Sequence, residues 1–150
     1  MSQLFGNIPS QVSKYLKGMS SYDDPCFMLI CVEKEITPFI EMIETEVDSE
    51  KPYDKTSIQI TENLYFISLD CTHETMSNIL AKLHKSMDES NINPHISVFR
   101  HNCLGEAEET FSWCGMLLNE VKEEFGDNGG YKVNDFQDRK NWPGIKKYME

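Results

Sequence analysis

The chain has 150 residues, 39% of them hydrophobic, with 25 acidic against 14 basic side chains and a net charge of −11. That length suits a single domain over residues 1–150, able to bury roughly 70% of the surface its unfolded chain exposes. The negative surplus argues against DNA, RNA or an anionic membrane as partner, and no apolar run reaches the roughly 20 residues of a membrane span. The start MSQLFGNIPSQ has no basic region leading into an apolar stretch, so no secretory signal is expected. Cys26, Cys31, Cys71, Cys103 and Cys114 are dispersed, with no CxxC pair. They read as reduced, mostly buried thiols of a cytoplasmic protein, not a disulfide framework or a zinc site.

In chain order, Val12, Tyr15, Leu16 and Met19 share one side of a helix that Ser10 can cap. Cys26 to Val32 is an almost continuous apolar run, the pattern of a central strand covered on both faces. Thr37 and Pro38 offer a cap and a first-turn proline. Beyond them Phe39, Ile40, Ile43 and Val47 form an apolar stripe, with Glu41, Glu44 and Glu46 facing water. Ser57 to Thr61 alternates as a half-buried strand, Glu62 and Asn63 close a tight turn, and Leu64 to Leu69 returns. Thr72 can cap a helix carrying Met76, Ile79, Leu80, Leu83 and Met87, which Asn91 to Pro94 ends. A strand from His95 to Arg100 follows. Ala107, Phe111, Cys114, Leu118, Val121 and Phe125 then mark the strongest helix, stopped by Gly126 to Gly130. Tyr131 to Phe136 makes a last strand, and residues 139–150 form a loose basic tail with a Trp-Pro-Gly turn.

Stripped of its ends, the order is βαββαβ, so the expected class is α+β with a ferredoxin-like core. An extra N-terminal helix and a C-terminal helix plus strand complete it. Right-handed crossovers place both core helices on one face. In that topology Cys31 to Glu33 and the Glu62-Asn63 turn meet at one edge of the sheet, where a site could be built from distant segments.

Those segments carry a family resemblance. Leu4-Phe5-Gly6-Asn7-Ile8-Pro9 is similar to the opening LTGLPNR turn of the diguanylate cyclase (GGDEF) family. Ile30-Cys31-Val32-Glu33 sits where that family's first strand ends in its LDLD-like metal motif. Ile60-Thr61-Glu62-Asn63-Leu64 occupies the signature hairpin, and Lys51-Pro52-Tyr53-Asp54 the place of the RxxD product-inhibition motif. His95 to Phe99 resembles the strand leading to the SIG segment, Lys122 matches the lysine of the late helix, and Gly129-Gly130-Tyr131-Lys132-Val133 resembles the closing GGNRV strand. The resemblance implies a nucleotide-cyclase fold over about the whole chain.

The departures change what is expected of the chemistry. The family joins two GTP molecules into cyclic di-GMP with acids that hold divalent ions. Here Cys31 replaces the first metal-binding Asp and Asn63 the hairpin's catalytic Glu. A thiol and a neutral amide do not supply the hard anionic oxygens that Mg²⁺ requires. Ile60 and Thr61 replace the two glycines that let the backbone approach a nucleotide, and Phe39 stands at the guanine-reading Asn. Glu33 and Glu62 are the carboxylates left, and two alone seldom hold a pair of ions. The expectation is a degenerate, catalytically inactive module with no cofactor or bound metal, regulatory or protein-binding. Its partners would be another, basic-surfaced protein or a second copy, with cyclic di-GMP or a purine nucleotide as ligand.

Lys51, Asp54 and Lys122 are the candidate ligand-binding residues, although Lys51 brings a point charge where Arg brings a planar fork. A solvated turn with a charged rim is the plainer reading of Lys51 to Asp54. An enzymatic alternative comes from His73-Glu74-Thr75 and His95-Ile96-Ser97, which both fit the H-x-(S/T) signature of 2H phosphoesterases. It requires His73, Thr75, His95 and Ser97 to share one cleft. A third reading, from length and acidity alone, is a secretion chaperone or adaptor. The glutamates of the late helix, Glu106, Glu108, Glu109, Glu120, Glu123 and Glu124, read as a solvated face with favourable charge near its N-terminus. Trp113 reads as core-edge packing, and Trp142 as a tail residue.

Overall fold

A computed structural model describes Val12, Leu16, residues 25–100 and residues 107–134, with side chains described for 110–133 of the last segment. The opening turn Leu4 to Pro9, most of the first expected helix, Cys103, the side chains of Glu106, Glu108 and Glu109, Phe136, Trp142 and the tail lie outside the described residues.

The apolar run at Cys26 becomes β1 (Pro25–Cys31), whose seven residues are all buried. A 3₁₀ turn (Thr37–Phe39) leads into α1 (Ile40–Ser49). There follow β2 (Asp54–Thr61), β3 (Leu64–Asp70), α2 (His73–Glu89) and β4 (His95–Arg100). The chain continues through α3 (Ala107–Phe125), a 3₁₀ turn (Gly126–Asn128) and β5 (Gly130–Asn134). One sheet has the order β2-β3-β1-β4-β5. β1 is antiparallel to both β3 and β4, and β2 to β3, which is the expected ferredoxin-like core. β5 is added parallel to β4, as a crossover through α3 dictates.

Strand alternation divides the interior into two layers. Met28, Ile30, Ile67, Leu69, Ile96 and Val98 face α1 and α2, where Ile43, Val47, Ile79 and Leu83 complete a cluster. Phe27, Leu29, Phe66 and Phe99 face the other way, against Phe111, Cys114 and Leu118 of α3 and against Val12 and Leu16. The apolar periodicities of the helices therefore point where the sequence places them.

Local details differ. Thr37 caps nothing: it lies inside the 3₁₀ turn, and its hydroxyl accepts from Gln59 Nε2 at 2.9 Å. Thr72 does cap α2, accepting from the Thr75 N–H at 3.1 Å. Glu44 and Glu46 do not simply face water. Glu44 accepts from the Tyr65 hydroxyl at 2.7 Å and pairs with Lys55, while Glu46 accepts from Ser86. β2 starts at Asp54, earlier than its alternation suggests, because pairing with β3 extends to Asp70.

The joint after α3 requires glycine. Gly129 has φ +70°, and a Cβ there would stand 2.7 Å from the Pro94 carbonyl oxygen; one on Gly130 would stand 2.5 Å from the Phe125 ring.

Candidate functional site

The end of β1 and the tip of the β2–β3 hairpin are joined by backbone hydrogen bonds. Val32 N–H donates to Asn63 O at 3.0 Å, and Ile36 N–H to Glu62 O at 2.8 Å. The expected meeting of these two segments is therefore present. They border a cavity of about 620 Å³, also walled by the loop before β4 and the end of α3. Cys31, Glu33, Asn63, His95 and Lys122 line it, with Phe39, Val32 and Ile92 as apolar walls. A cavity of this size falls within the ordinary range for small ligands.

Each polar side chain is held by its own element. Cys31 is the last residue of β1, and the register sets it directly opposite His95, the first residue of β4. His95 Nε2 lies 2.6 Å from Gly126 O. A carbonyl only accepts, so Nε2 carries a proton and donates. Asn93 Nδ2 donates to Asp127 O at 3.1 Å, tying the α2–β4 loop to the turn after α3. The Asn63 side chain is turned toward its own hairpin, accepting from Thr61 Oγ1 at 2.7 Å. Lys122 reaches the cavity from the last turn of α3.

Where the resemblance implies acids for divalent ions, the joined edge carries a thiol and an amide. Among the described residues no three His, Cys, Asp or Glu side chains converge as a metal site. Cys31 is buried, Glu33 is exposed, and Glu62 is exposed on the hairpin outside the cavity lining.

Lys51 and Asp54 lie at the opposite end of β2 from the Glu62-Asn63 turn, roughly 20 Å away along the strand. Lys51, at φ 52°, ends α1 with its N–H on Asp48 O at 3.1 Å. Asp54 Oδ1 accepts from the Lys55 N–H at 2.8 Å. Tyr53, between them, is 75% exposed, so this segment is open to solvent and separate from the cavity.

The histidines are not brought together. His73 opens α2 just beyond Asp70, which pairs with Pro25 at the start of β1, whereas His95 pairs with Cys31 at its end. The length of β1, roughly 20 Å, separates them. Thr75 stays with His73 in the α2 cap, and Ser97 is buried with its hydroxyl donating to Cys114 O at 2.8 Å. The single cleft that a two-histidine phosphoesterase needs is not formed by this pair.

Sequence reasoning missed Lys34, Asn91, Asn93 and Asp127, all of which line the cavity. Their signal was position: each follows or precedes an element that ends at this edge. The Cys31–His95 opposition had no local signal, because a register between strands 64 positions apart is set by the whole sheet.

No protein-family model and no curated protein sequence matches the chain. Solved structures do. A diguanylate cyclase/phosphodiesterase from Caldicellulosiruptor saccharolyticus superposes with a TM-score of 0.59 at 16% identity, over 90% of this chain and 93% of that one. An EAL/GGDEF domain protein from M. capsulatus gives 0.53 at 13%, over 85% and 97%. The GGDEF domain of DgcB from Caulobacter crescentus, in complex with c-di-GMP, gives 0.54 at 7%, over 84% of each chain. At such identities the likeness concerns the fold, and in fold this chain is an α+β domain of the GGDEF cyclase type.

Proposed function

We propose that the chain is a degenerate cyclase-fold module that binds and regulates without catalysing. The observation that supports this reading is the joined edge, where Val32 bonds to Asn63 beside Cys31; by the resemblance, Cys31 replaces the family's first metal-binding Asp and Asn63 the hairpin's catalytic Glu. Cyclisation of GTP needs charge neutralisation at the phosphates, and a thiol and an amide do not hold the ions that provide it. The cavity then serves as a ligand site for a purine nucleotide, with Lys122 as the phosphate contact and Phe39 as an apolar wall for the base. Lys51 and Asp54 form a second, weaker candidate for cyclic di-GMP, with the single charge of Lys51 as its anchor. In this reading the module works in the cytoplasm by reporting ligand state to a protein partner, to which its acidic surface offers a complement for basic residues.

Two measurements test it. Incubation of the purified chain with GTP and Mg²⁺ should yield no cyclic di-GMP above background; measurable product would overturn the claim of inactivity. Calorimetric titration with GTP and with cyclic di-GMP should give saturable binding, weakened by Lys122→Ala for GTP and by Lys51→Ala for cyclic di-GMP. No heat with either at high concentration would remove the nucleotide role and leave protein docking.

A further inference from the structure

The charges around the cavity are held differently from those on the rest of the molecule. Lys55 pairs with Glu44 and Asp48, Lys82 with Glu50, and Lys132 with Glu120 and Glu124. Lys34 and Lys122, which line the cavity, join no ion pair among the described residues, and neither do the cavity carboxylates Glu33, Glu35 and Asp127. Uncompensated ammonium groups at a cavity suit an anionic ligand group. The three exposed carboxylates limit how much negative charge that ligand can carry. The backbone adds to the same sign. α2 and α3 both end at this rim, which Asn91 and Gly126 line, and the carbonyl end of a helix carries partial negative charge.

We propose that the cavity selects purine ligands of low charge, taking a nucleoside monophosphate in preference to the triphosphate, with Glu33, Glu35 and Asp127 setting the limit. The proposal rests on the nucleotide reading of this cavity given above. A monophosphate brings about two negative charges near neutral pH, and a triphosphate about two more. Lys34 and Lys122 meet the first two. The further charges find no cation left and stand against carboxylates that already outnumber the ammonium groups. Those carboxylates still have a use toward the smaller ligand, because they accept hydrogen bonds from ribose hydroxyls and from an exocyclic amino group. A cavity of about 620 Å³ does not turn the triphosphate away by size. The discrimination is therefore electrostatic, and in an exposed site it responds to salt.

The test is calorimetric titration of the full-length chain with GMP and with GTP at low ionic strength, with EDTA present so that no divalent ion offsets the triphosphate. GMP should bind about threefold to tenfold more tightly, the effect of two extra charges facing one net wall charge at roughly 10 Å in a wet site. The ratio should shrink toward one as sodium chloride is raised to about 0.3 M. Joint replacement by Glu33→Gln, Glu35→Gln and Asp127→Asn should bring GTP level with GMP or ahead of it. GTP binding as tightly as GMP to the unsubstituted chain would overturn the charge limit and leave the nucleotide site standing. Heat with neither ligand would remove the nucleotide reading and this proposal with it. A preference untouched by salt, or kept in full by the folded triple variant, would overturn the role of the three carboxylates.

Discussion

Beneath α3 the sheet is closed by aromatic rings set edge to face, whereas beneath α1 and α2 it is closed by aliphatic side chains inside a rim of hydrogen-bonded charges. On the first side the Phe66 ring stands 5.5 Å from Phe27 and 5.0 Å from Phe111, both nearly perpendicular. On the second, Glu44 joins α1 to β3 through Tyr65 and to β2 through Lys55, and Lys82 of α2 pairs with Glu50 at the end of α1. The aromatic side relies on area and shape, which are strong but weakly directional. The charged rim adds less energy but fixes how α1 sits on the sheet, since each bond accepts a narrow geometry.

Substitutions that break each side should differ accordingly. Phe66→Ala removes the ring at the centre of the aromatic stack and should cost about 3–5 kcal/mol in urea unfolding. A loss under about 1 kcal/mol would mean that the stack is not what seals that face. Tyr65→Phe should cost about 1–2 kcal/mol, because a half-buried carboxylate loses its donor. Combined with Glu44→Gln it should show non-additivity in a double-mutant cycle; simple addition would deny the bond.

The Tyr65 substitution should also alter the alkaline limb of the stability curve. Burial, then the bond to Glu44, raises the Tyr65 phenol above its ordinary 10.0. Folded Tyr65 therefore holds its proton more tightly than unfolded Tyr65. Its stabilisation is complete below pH 10 and fades as pH rises through the folded value. Urea midpoints measured between pH 9 and 11 should fall less steeply in Tyr65→Phe.

Smaller still is Lys132→Ala, at about 0–1 kcal/mol, for its bonds to Glu120 and Glu124 at 2.8 and 2.9 Å lie in solvent. The faintest effect belongs to Glu50, whose carboxyl is held below its ordinary 4.5, chiefly by the hydrogen bond from Lys82. Its contribution is present above that value and is lost as pH falls through the lower folded one. Glu50→Gln should flatten the acid limb slightly.

Much of this architecture was legible because it rests on periodicity. The unbroken apolar run of β1 signalled coverage on both faces, and the spacing marked the buried residues of α2. In α3 it marked Phe111, Cys114, Leu118 and Val121, while Phe125 is half-buried and Thr110 and Leu117 are buried off that stripe. The meeting of Val32 with Asn63 followed from topology alone. What the pattern did not reveal were side chains whose role depends on a partner far along the chain. Glu44 looks like any solvated glutamate until β2 and β3 bring Lys55 and Tyr65 beneath it. His73 and His95 match one motif, yet a strand's length separates them because a motif carries no direction in space.

The glycine joint between α3 and β5 has a consequence for tolerance to change. A saturation library read out by solubility should show two adjacent intolerant columns at 129 and 130, since every side chain would collide with the Asn93–Pro94 backbone or the Phe125 ring. The lesion would be dislodgement of the edge strand that Gly130 anchors to Pro94. Purifying variants at these sites would therefore report on assembly of the outermost strand, and a parallel drop in ligand uptake would be secondary to it.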